Sequence, residues 1–576
     1  MPPYNNKTKK PLLNETGAVK KDWRGRISVA LVYPNSYYVG MSNLGFQAVY
    51  RMLNELDHVV CERAFLPDDP YGHDKEIYSL ESNRTIRDFD IIAFSISFEN
   101  DYINVLSILK KTGLPLLSNA RGNSHPLIIA GGVTCFLNPE PIAPSIDCIF
   151  VGEAETILPR FFEQFDPRER RADMLKNMAN AINGLYIPEF YHTNYNKDGT
   201  IKSFEPLTDV PGTIQRVYAK DLSAFSTCSQ ILSKDTSFNG TYLIETGRGC
   251  PHGCRFCSAG YIYRPPRFRS LETLQHTFKD GARLSQKIGL VGAAVSDLPC
   301  ISDLCSLGEK NDITISFSSL RAEALTHDLV SALGKSRMKT ATIAPDAGSE
   351  KMRNIINKGI TEEDILHATQ ILVEAGIPNL KLYFMVGLPE ETDEDVLAIS
   401  ELVKKIKARF LESSRVKKHI GTIHVSVNPF VPKPVTPFQW SQMEGVGSLK
   451  HKIKMIQNEL KAVSNVNVTA DSPKKTLVQG ILSRGDRTVS TLLQEVLKDG
   501  GNWTKSKKKS CPYETFFALR ERDRDEIFPW DFIDHHIQKQ YLYQEYKKAL
   551  QAKKTSPCDT DRCVKCGVCL KDEKNG

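Results

Sequence analysis

Tyr242-Leu-Ile-Glu-Thr-Gly-Arg-Gly-Cys250-Pro-His-Gly-Cys254-Arg-Phe-Cys257 joins a short apolar run to three cysteines spaced Cys-x3-Cys-x2-Cys. The run Tyr242–Glu245 reads as a strand, so the thiols ride on the loop that leaves its carboxyl end. Downstream, Ile288–Val295, Ile313–Ser318, Thr340–Ile343, Leu380–Val386 and Thr422–Val427 read as further strands. Helical segments at Ser270–Gln286, Thr326–Leu333, Ser349–Ile356 and Thr361–Ala375 fall between them. About six βα units over residues 240–440 predict a partial (β/α)6 barrel, shorter than the eight-unit form.

Upstream lies a second βα pattern. Ile27-Ser-Val-Ala-Leu-Val-Tyr33, Asp90–Ser97, Pro126–Gly132 and Asp147–Gly152 are continuous apolar runs, with helical stretches such as Asn43–Leu56 between them. Runs buried on both faces predict an α/β protein whose residues 27–165 form a doubly wound parallel sheet. Ligands of such sheets bind at the carboxyl ends of strands. Ser95, Ser97, Gly131, Gly132 and the turn Gly152-Glu-Ala-Glu155 lie there. Residues 166–239 read as a linker with a hairpin turning at Asn196-Lys-Asp-Gly199. Residues 441–552 read as a charged helical region, 553–576 as a Cys-rich metal-binding tail, and 1–26 as a basic flexible tail.

With 576 residues, 41% hydrophobic and 25% charged, the composition is that of a soluble multidomain protein. No run approaches the ~18 apolar residues of a membrane span, and no apolar segment follows the basic N-terminus as in a secretory signal. A cytoplasmic location with no membrane partner is expected. The net charge of +7 is mild, and the runs Lys7–Lys10, Lys20–Arg26 and Lys505–Lys509 suit solvated surface or a nucleic-acid contact. Of 14 cysteines, seven fall in two tight clusters. The others (Cys61, Cys135, Cys148, Cys228, Cys300, Cys305 and Cys511) are scattered, as small buried hydrophobes are. Clustered thiols in a reducing compartment point to metal.

Three thiolates from one short loop suit a [4Fe–4S] cube with one iron lacking a protein ligand, whereas structural zinc takes four closed ligands. Such an iron can chelate the amino and carboxylate groups of S-adenosylmethionine, and an electron passed to the sulfonium breaks a carbon–sulfur bond to give a radical. A zinc site completed by His252 is the plainer alternative. Phe256 is placed to lie against the adenine. Cys558-x4-Cys563-x2-Cys566-x2-Cys569 supplies a second, complete set of four thiolates, for an auxiliary [4Fe–4S] cluster or for zinc.

The Cys-x3-Cys-x-aromatic-Cys loop with its βα series resembles the radical S-adenosylmethionine superfamily. Nearly the whole chain looks like a subfamily with a cobalamin-binding-like N-terminal domain and a C-terminal Cys cluster. That closer likeness rests on Gly40-Met-Ser-Asn-Leu-Gly45, Ile343-Ala-Pro-Asp-Ala-Gly-Ser349, Lys381-Leu-Tyr-Phe-Met-Val-Gly-Leu-Pro-Glu-Glu-Thr392, Pro429-Phe-Val-Pro-Lys-Pro434 and Cys566-Gly-Val-Cys569. The superfamily's Gly-Gly-Glu strand end corresponds to Gly289-Leu-Val-Gly-Ala-Ala294, which lacks the acid. Ser319 and Arg321 end the next strand, and Arg321 suits a ligand carboxylate or a surface ion pair. Ser349 opens a helix whose N–H groups face a polar part of the ligand.

In cobalamin domains that ligate cobalt from below, the first strand leads into Asp-x-His-x-x-Gly. Here the loop reads Asn35-Ser-Tyr-Tyr-Val-Gly40, without the His. Either cobalamin binds without that ligand, with Ser95 and Ser97 hydrogen-bonding its nucleotide tail and Gly131 and Gly132 allowing close approach, or the sheet is a scaffold. The resemblance implies an enzyme fed by a reductase, flavodoxin or ferredoxin that modifies an unreactive carbon, by methyl transfer where cobalamin binds. Sulfur insertion on RNA or protein is the second reading, and a nonenzymatic iron–sulfur carrier or sensor the third. RNA and a small molecule both remain open as substrates.

Overall fold

The computed structural model describes residues 14–569 except 68, 72–75, 319, 327–328, 331–332, 335–337, 416–419 and 561. Its first sheet comprises β1 (Ile27–Tyr33), β2 (Val59–Phe65), β3 (Ile91–Ser95), β4 (Leu127–Gly131), β5 (Cys148–Phe150) and β6 (Leu185–Tyr186). They are ordered β2-β1-β3-β4-β5-β6, all parallel except the last pair. The apolar runs are buried along nearly their whole length, as parallel strands covered on both faces must be. Helix Leu44–Glu55 starts where expected, with the Asn43 side chain accepting from the Phe46 N–H.

The hairpin is present as β7 (Tyr191–Tyr195) against β8 (Ile201–Pro206), with Gly199 at φ +86° in its turn. The second βα series holds β9 (Tyr242–Glu245), β10 (Lys287–Val291) and β11 (Thr314–Phe317) in one parallel sheet. A second parallel sheet holds β12 (Thr340–Asp346), β13 (Asn379–Val386), β14 (Ile423–Pro429) and β15 (Val466–Ala470). Among the described residues no ladder joins β11 to β12.

Two features depart from the sequence reading. Residues 441–552 contain helices joined by irregular stretches, but also two strand segments, one of which, β15, adds a parallel seventh strand to the series beside β14. Its residues are half-buried or exposed, so the apolar periodicity that marks a strand is weak there. Residues 14–26 are also no loose tail. Glu15–Thr16 pairs with Leu232–Ser233, and Glu15 and Arg63 form a fully buried ion pair at 2.7 Å.

The C-terminal helices return to the front of the molecule. Trp440, Ile481, Leu492, Leu493 and Val496 share one core with the first sheet, while the β9–β15 series has its own. Asn138 seals that junction, donating to the carbonyls of Ser483 and Gly485 at 3.0 and 2.7 Å.

Candidate active site

The three-thiol loop leaves β9 and folds back at once. Gly247–Arg248 pairs antiparallel with Arg267–Phe268. Gly249, at φ +83°, leaves room for the Tyr263 carbonyl, which would stand 2.7 Å from any Cβ placed there. The Gly253 carbonyl accepts from Asn357 Nδ2 (3.1 Å) and the Tyr261 hydroxyl (3.2 Å). Burial pushes the Cys250 thiol up to about 12; Cys254 and Cys257 add to the rise, and the Arg321 guanidinium opposes it. Burial likewise raises Cys257, with Lys358 opposing. Three buried thiols that raise one another, with Arg321 and Lys358 favouring their thiolate forms, are a donor set on which a cationic cluster would replace the protons. The loop therefore fits the iron–sulfur cube.

His252 is engaged elsewhere: its Nε2 meets Asp297 Oδ2 at 2.6 Å. Asp297 escaped the sequence reading because it stands in a 3₁₀ turn beyond β10, not at the strand end. Burial alone would lower Arg321, yet Glu323 above all, then Cys254 and Asp297, raise it.

The structure places the other predicted residues unevenly. Arg321 lies beside the thiols, but its Nε donates to Glu323 at 2.8 Å and its Nη2 to the Lys358 carbonyl at 3.1 Å. Ser319 lies outside the described residues. The Ser349 hydroxyl is spent as a helix cap, accepting from the Met352 N–H (3.1 Å) and donating to Asp395 (2.7 Å). Phe256 packs against the N-terminal core.

Ser95, Ser97, Gly131 and Gly132 come together along one cavity of about 600 Å³. It runs over the sheet face formed by the adjacent residues Leu31, Ala93 and Ile129, against helix Leu44–Glu55, and reaches Gly247, Gly249 and Gly292 past β9 and β10. The first sheet and the carboxyl ends of β9 and β10 thus border one space. Gly132, at φ +111°, lies so close to the Ile96 carbonyl that no side chain fits. The Ser97 hydroxyl accepts from Asn43 at 3.0 Å.

The walls are mostly apolar, and their charges neutralise one another. Arg248 binds Glu155 (2.5 Å), Glu153 (2.9 Å) and Glu245 (3.0 Å), while Arg267 and Arg269 bind Glu153 (2.6 Å) and Glu245 (2.5 Å). Burial alone would raise Glu153, yet Arg267 and Arg248 hold it below the usual carboxylate range. The Gly152–Glu155 turn therefore clamps the first sheet to the start of the cysteine loop. The Asn35–Gly40 loop is tightly packed: a Cβ at Gly40 would stand 2.5 Å from the Phe65 ring, and Asn35 donates to Asp101 at 2.9 Å.

Cys558, Cys563, Cys566 and Cys569 are gathered at the chain end. Burial lifts the Cys558 thiol to about 11; Arg264 opposes, and the other three thiols add to the rise. Cys61, Cys135 and Cys148 are each buried in the N-terminal core, and Cys511 is exposed. The Lys7–Lys10 run lies outside the described residues. Lys509 of the last basic run pairs with Glu495, and Lys21 donates to the carbonyls of Leu56 and Val59. Among the described residues no helix is long and apolar enough to cross a membrane.

The family described as "Radical SAM proteins, N-terminal" matches residues 45–188, and "Radical SAM superfamily" matches residues 244–403. An uncharacterised protein of Methanocaldococcus jannaschii is 34% identical over 81% of this chain and 90% of its own. A tRNA-2-methylthio-N(6)-dimethylallyladenosine synthase of Carboxydothermus hydrogenoformans is 25% identical over 32% of this chain and 46% of its own. An uncharacterised methyltransferase of Pyrococcus horikoshii is 23% identical over 52% of this chain and 62% of its own. With the three-thiol loop at a strand's carboxyl end, these matches establish that the chain belongs to the radical S-adenosylmethionine superfamily and is an enzyme.

Proposed function

We propose that the enzyme transfers a methyl group to an unreactive carbon of a small, largely apolar molecule, using S-adenosylmethionine at the cysteine loop and cobalamin against the first sheet. The observation that carries this is the single cavity shared by Ser95, Gly131 and Gly132 with Gly249 and Gly292. In this reading Cys250, Cys254 and Cys257 hold the [4Fe–4S] cube, and Arg321 exchanges Glu323 for the ligand's carboxylate. Ser95 and Ser97 hold the nucleotide tail of cobalamin, which Gly131 and Gly132 allow to approach. Cobalamin would supply a carrier for the methyl group, bound without a side chain of the Asn35–Gly40 loop beneath cobalt. A cavity whose charges are already paired suits an apolar substrate better than the phosphates of RNA. The reductant is a flavodoxin, a ferredoxin or a reductase, and the thiols are kept reduced in the cytoplasm.

The test is anaerobic purification of the full chain with iron, sulfide, zinc and cobalamin measured on one sample, then reduction with S-adenosylmethionine present. The reading expects about four irons or more per chain, bound cobalamin, and cleavage of S-adenosylmethionine. If cobalamin neither co-purifies nor binds when added, methyl transfer through it fails. Absence of iron at the loop would sink the radical reading altogether. Sulfur insertion is favoured by one observation, the backbone hydrogen bond that ties Cys558 of the chain end to the Pro251 carbonyl of the cysteine loop, and would show as sulfide lost with each turnover.

A further inference from the structure

Tyr263 is carried by the cysteine loop and reaches across to the first sheet. It caps the short helix Ala259–Ile262 that follows Cys257, and its carbonyl is the group for which Gly249 makes room. Its ring stands edge-on to that of Phe136, with centroids 5.7 Å apart and planes at 82°. Phe136 belongs to the helix Val133–Leu137 that leaves β4. Both rings line the cavity, as do Gly249 and, beyond β10, Gly292 and Ala293. The phenol thus stands between the thiols and the first sheet.

A tyrosine set this deep usually gives its hydroxyl a partner. Among the described residues no hydrogen bond reaches the Tyr263 hydroxyl. Arg248, Glu153 and Glu245 act on it by charge, but they are committed elsewhere: Arg248 binds both acids, Arg267 and the Ala219 N–H take Glu153, and Arg269 takes Glu245. Burial raises the phenol to about 12, with Arg248 opposing, so near neutral pH it keeps its proton and offers it. The opposite wall, with Leu31, Ala93, Ile129, Phe150 and Leu158, suits a carbon skeleton. Apolar pockets orient their ligands through a few such polar groups. A carboxylate would bury a charge here beside cations already paired, and an alcohol would bring in a further O–H to satisfy. A carbonyl brings an acceptor and nothing else.

We propose that Tyr263 donates its hydroxyl hydrogen to a carbonyl oxygen of a small, otherwise apolar substrate, and so sets which carbon of that molecule faces the cysteine loop. The hydrogen bond satisfies two groups that would each be costly to leave unpaired in the cavity. The inference rests on the cavity receiving the substrate, as in the reading above, and does not depend on cobalamin.

The test measures the affinities of para-fluoroacetophenone and para-fluoro-α-methylstyrene for the anaerobically reconstituted full chain by fluorine NMR. The two probes share one shape and differ in a carbonyl oxygen against a methylene group. Taking the ratio of their affinities in each protein cancels their unequal cost of leaving water. In Tyr263→Phe that ratio should shift toward the hydrocarbon by about three- to tenfold. Ser97→Ala alters the same cavity at a hydroxyl already engaged with Asn43, and should leave the ratio unchanged. Because the phenol has no protein partner to lose, Tyr263→Phe should also keep its iron and unfold at the wild-type denaturant midpoint. An unchanged ratio, an equal shift in Ser97→Ala, binding of neither probe to the unaltered chain, or a lowered midpoint in Tyr263→Phe would each overturn the proposal. Failure of the unaltered chain to bind cobalamin or to cleave S-adenosylmethionine, with the ratio shifting as expected, would defeat instead the methyl-transfer reading.

Discussion

Arg255 shows how much can hang on one side chain within the thiol motif. It is fully buried, and its guanidinium reaches the carbonyls of Asn354 and Ile355 (both 3.0 Å), the Thr555 hydroxyl (3.3 Å) and Glu545 (3.1 Å). Replacing it with Met leaves those acceptors short of a donor and Glu545 with Lys548 as its remaining cation. Breaking such a buried pair costs about 3 kcal/mol or more, so Arg255→Met should lower the midpoint of denaturant unfolding and reduce the iron retained. Arg255→Lys keeps the charge but loses the fork, and should fall between the two. Wild-type stability and full iron in Arg255→Met would refute this role. The sequence displayed Arg255 in plain view but not its purpose, because its partners Glu545, Lys553 and Thr555 lie some three hundred residues further on. The thiols differ: their chemistry is written in a spacing confined to one loop. Ser349 fails for the opposite reason, since a serine that opens a helix satisfies that helix first.

At the scale of elements, what was legible depended on burial. β1, β3 and β4 are covered on both faces, and their unbroken apolar runs declared them. β15 escaped notice because a strand whose residues are half-buried or exposed carries little hydrophobic signal. The cysteine loop depends on backbone shape that spacing alone does not express. At Gly249 the left-handed backbone costs a side-chain-bearing residue about 1–2 kcal/mol, and a methyl group there would also press on the Tyr263 carbonyl at 2.7 Å. Gly249→Ala should therefore leave the overall fold in place but loosen the loop, so that a chelator strips the loop cluster several-fold faster than from the unaltered chain. Release at the wild-type rate would mean the loop tolerates the strain, and that Gly249 is there for another reason. Circular dichroism on the same samples separates a loosened loop from a lost fold.

The whole molecule is closed by its last third. The first sheet shares its core with this third: Trp440, Ile481, Leu492 and Val496 belong to the same buried cluster, and Arg487 ties Glu140 (2.8 Å) and the Tyr186 hydroxyl (2.8 Å) to the C-terminal helices. In sequence the βα series that carries the thiols falls between two stretches that share one core, and the cavity lies between the first sheet and the sheet of β9 and β10. A linear reading of domains could not see this, because apolar periodicity reports that a helix has a buried face but not what covers it. The arrangement has a consequence for cooperativity. If helices Pro473–Arg484 and Val489–Lys498 belong to the core of the first sheet, their amides should exchange with solvent only when β1 and β3 open, and should share their protection. Strands β10 and β11, in the separate core, should be free to exchange at a different rate. Native-state hydrogen exchange on the intact chain measures both. Protection of the two helices that collapses under mild denaturant while β1 and β3 stay closed would show that the last third is an attachment. Joint protection would mean that a core mutation as distant as Leu493→Ala, costing about 2–5 kcal/mol, loosens the wall of the active-site cavity.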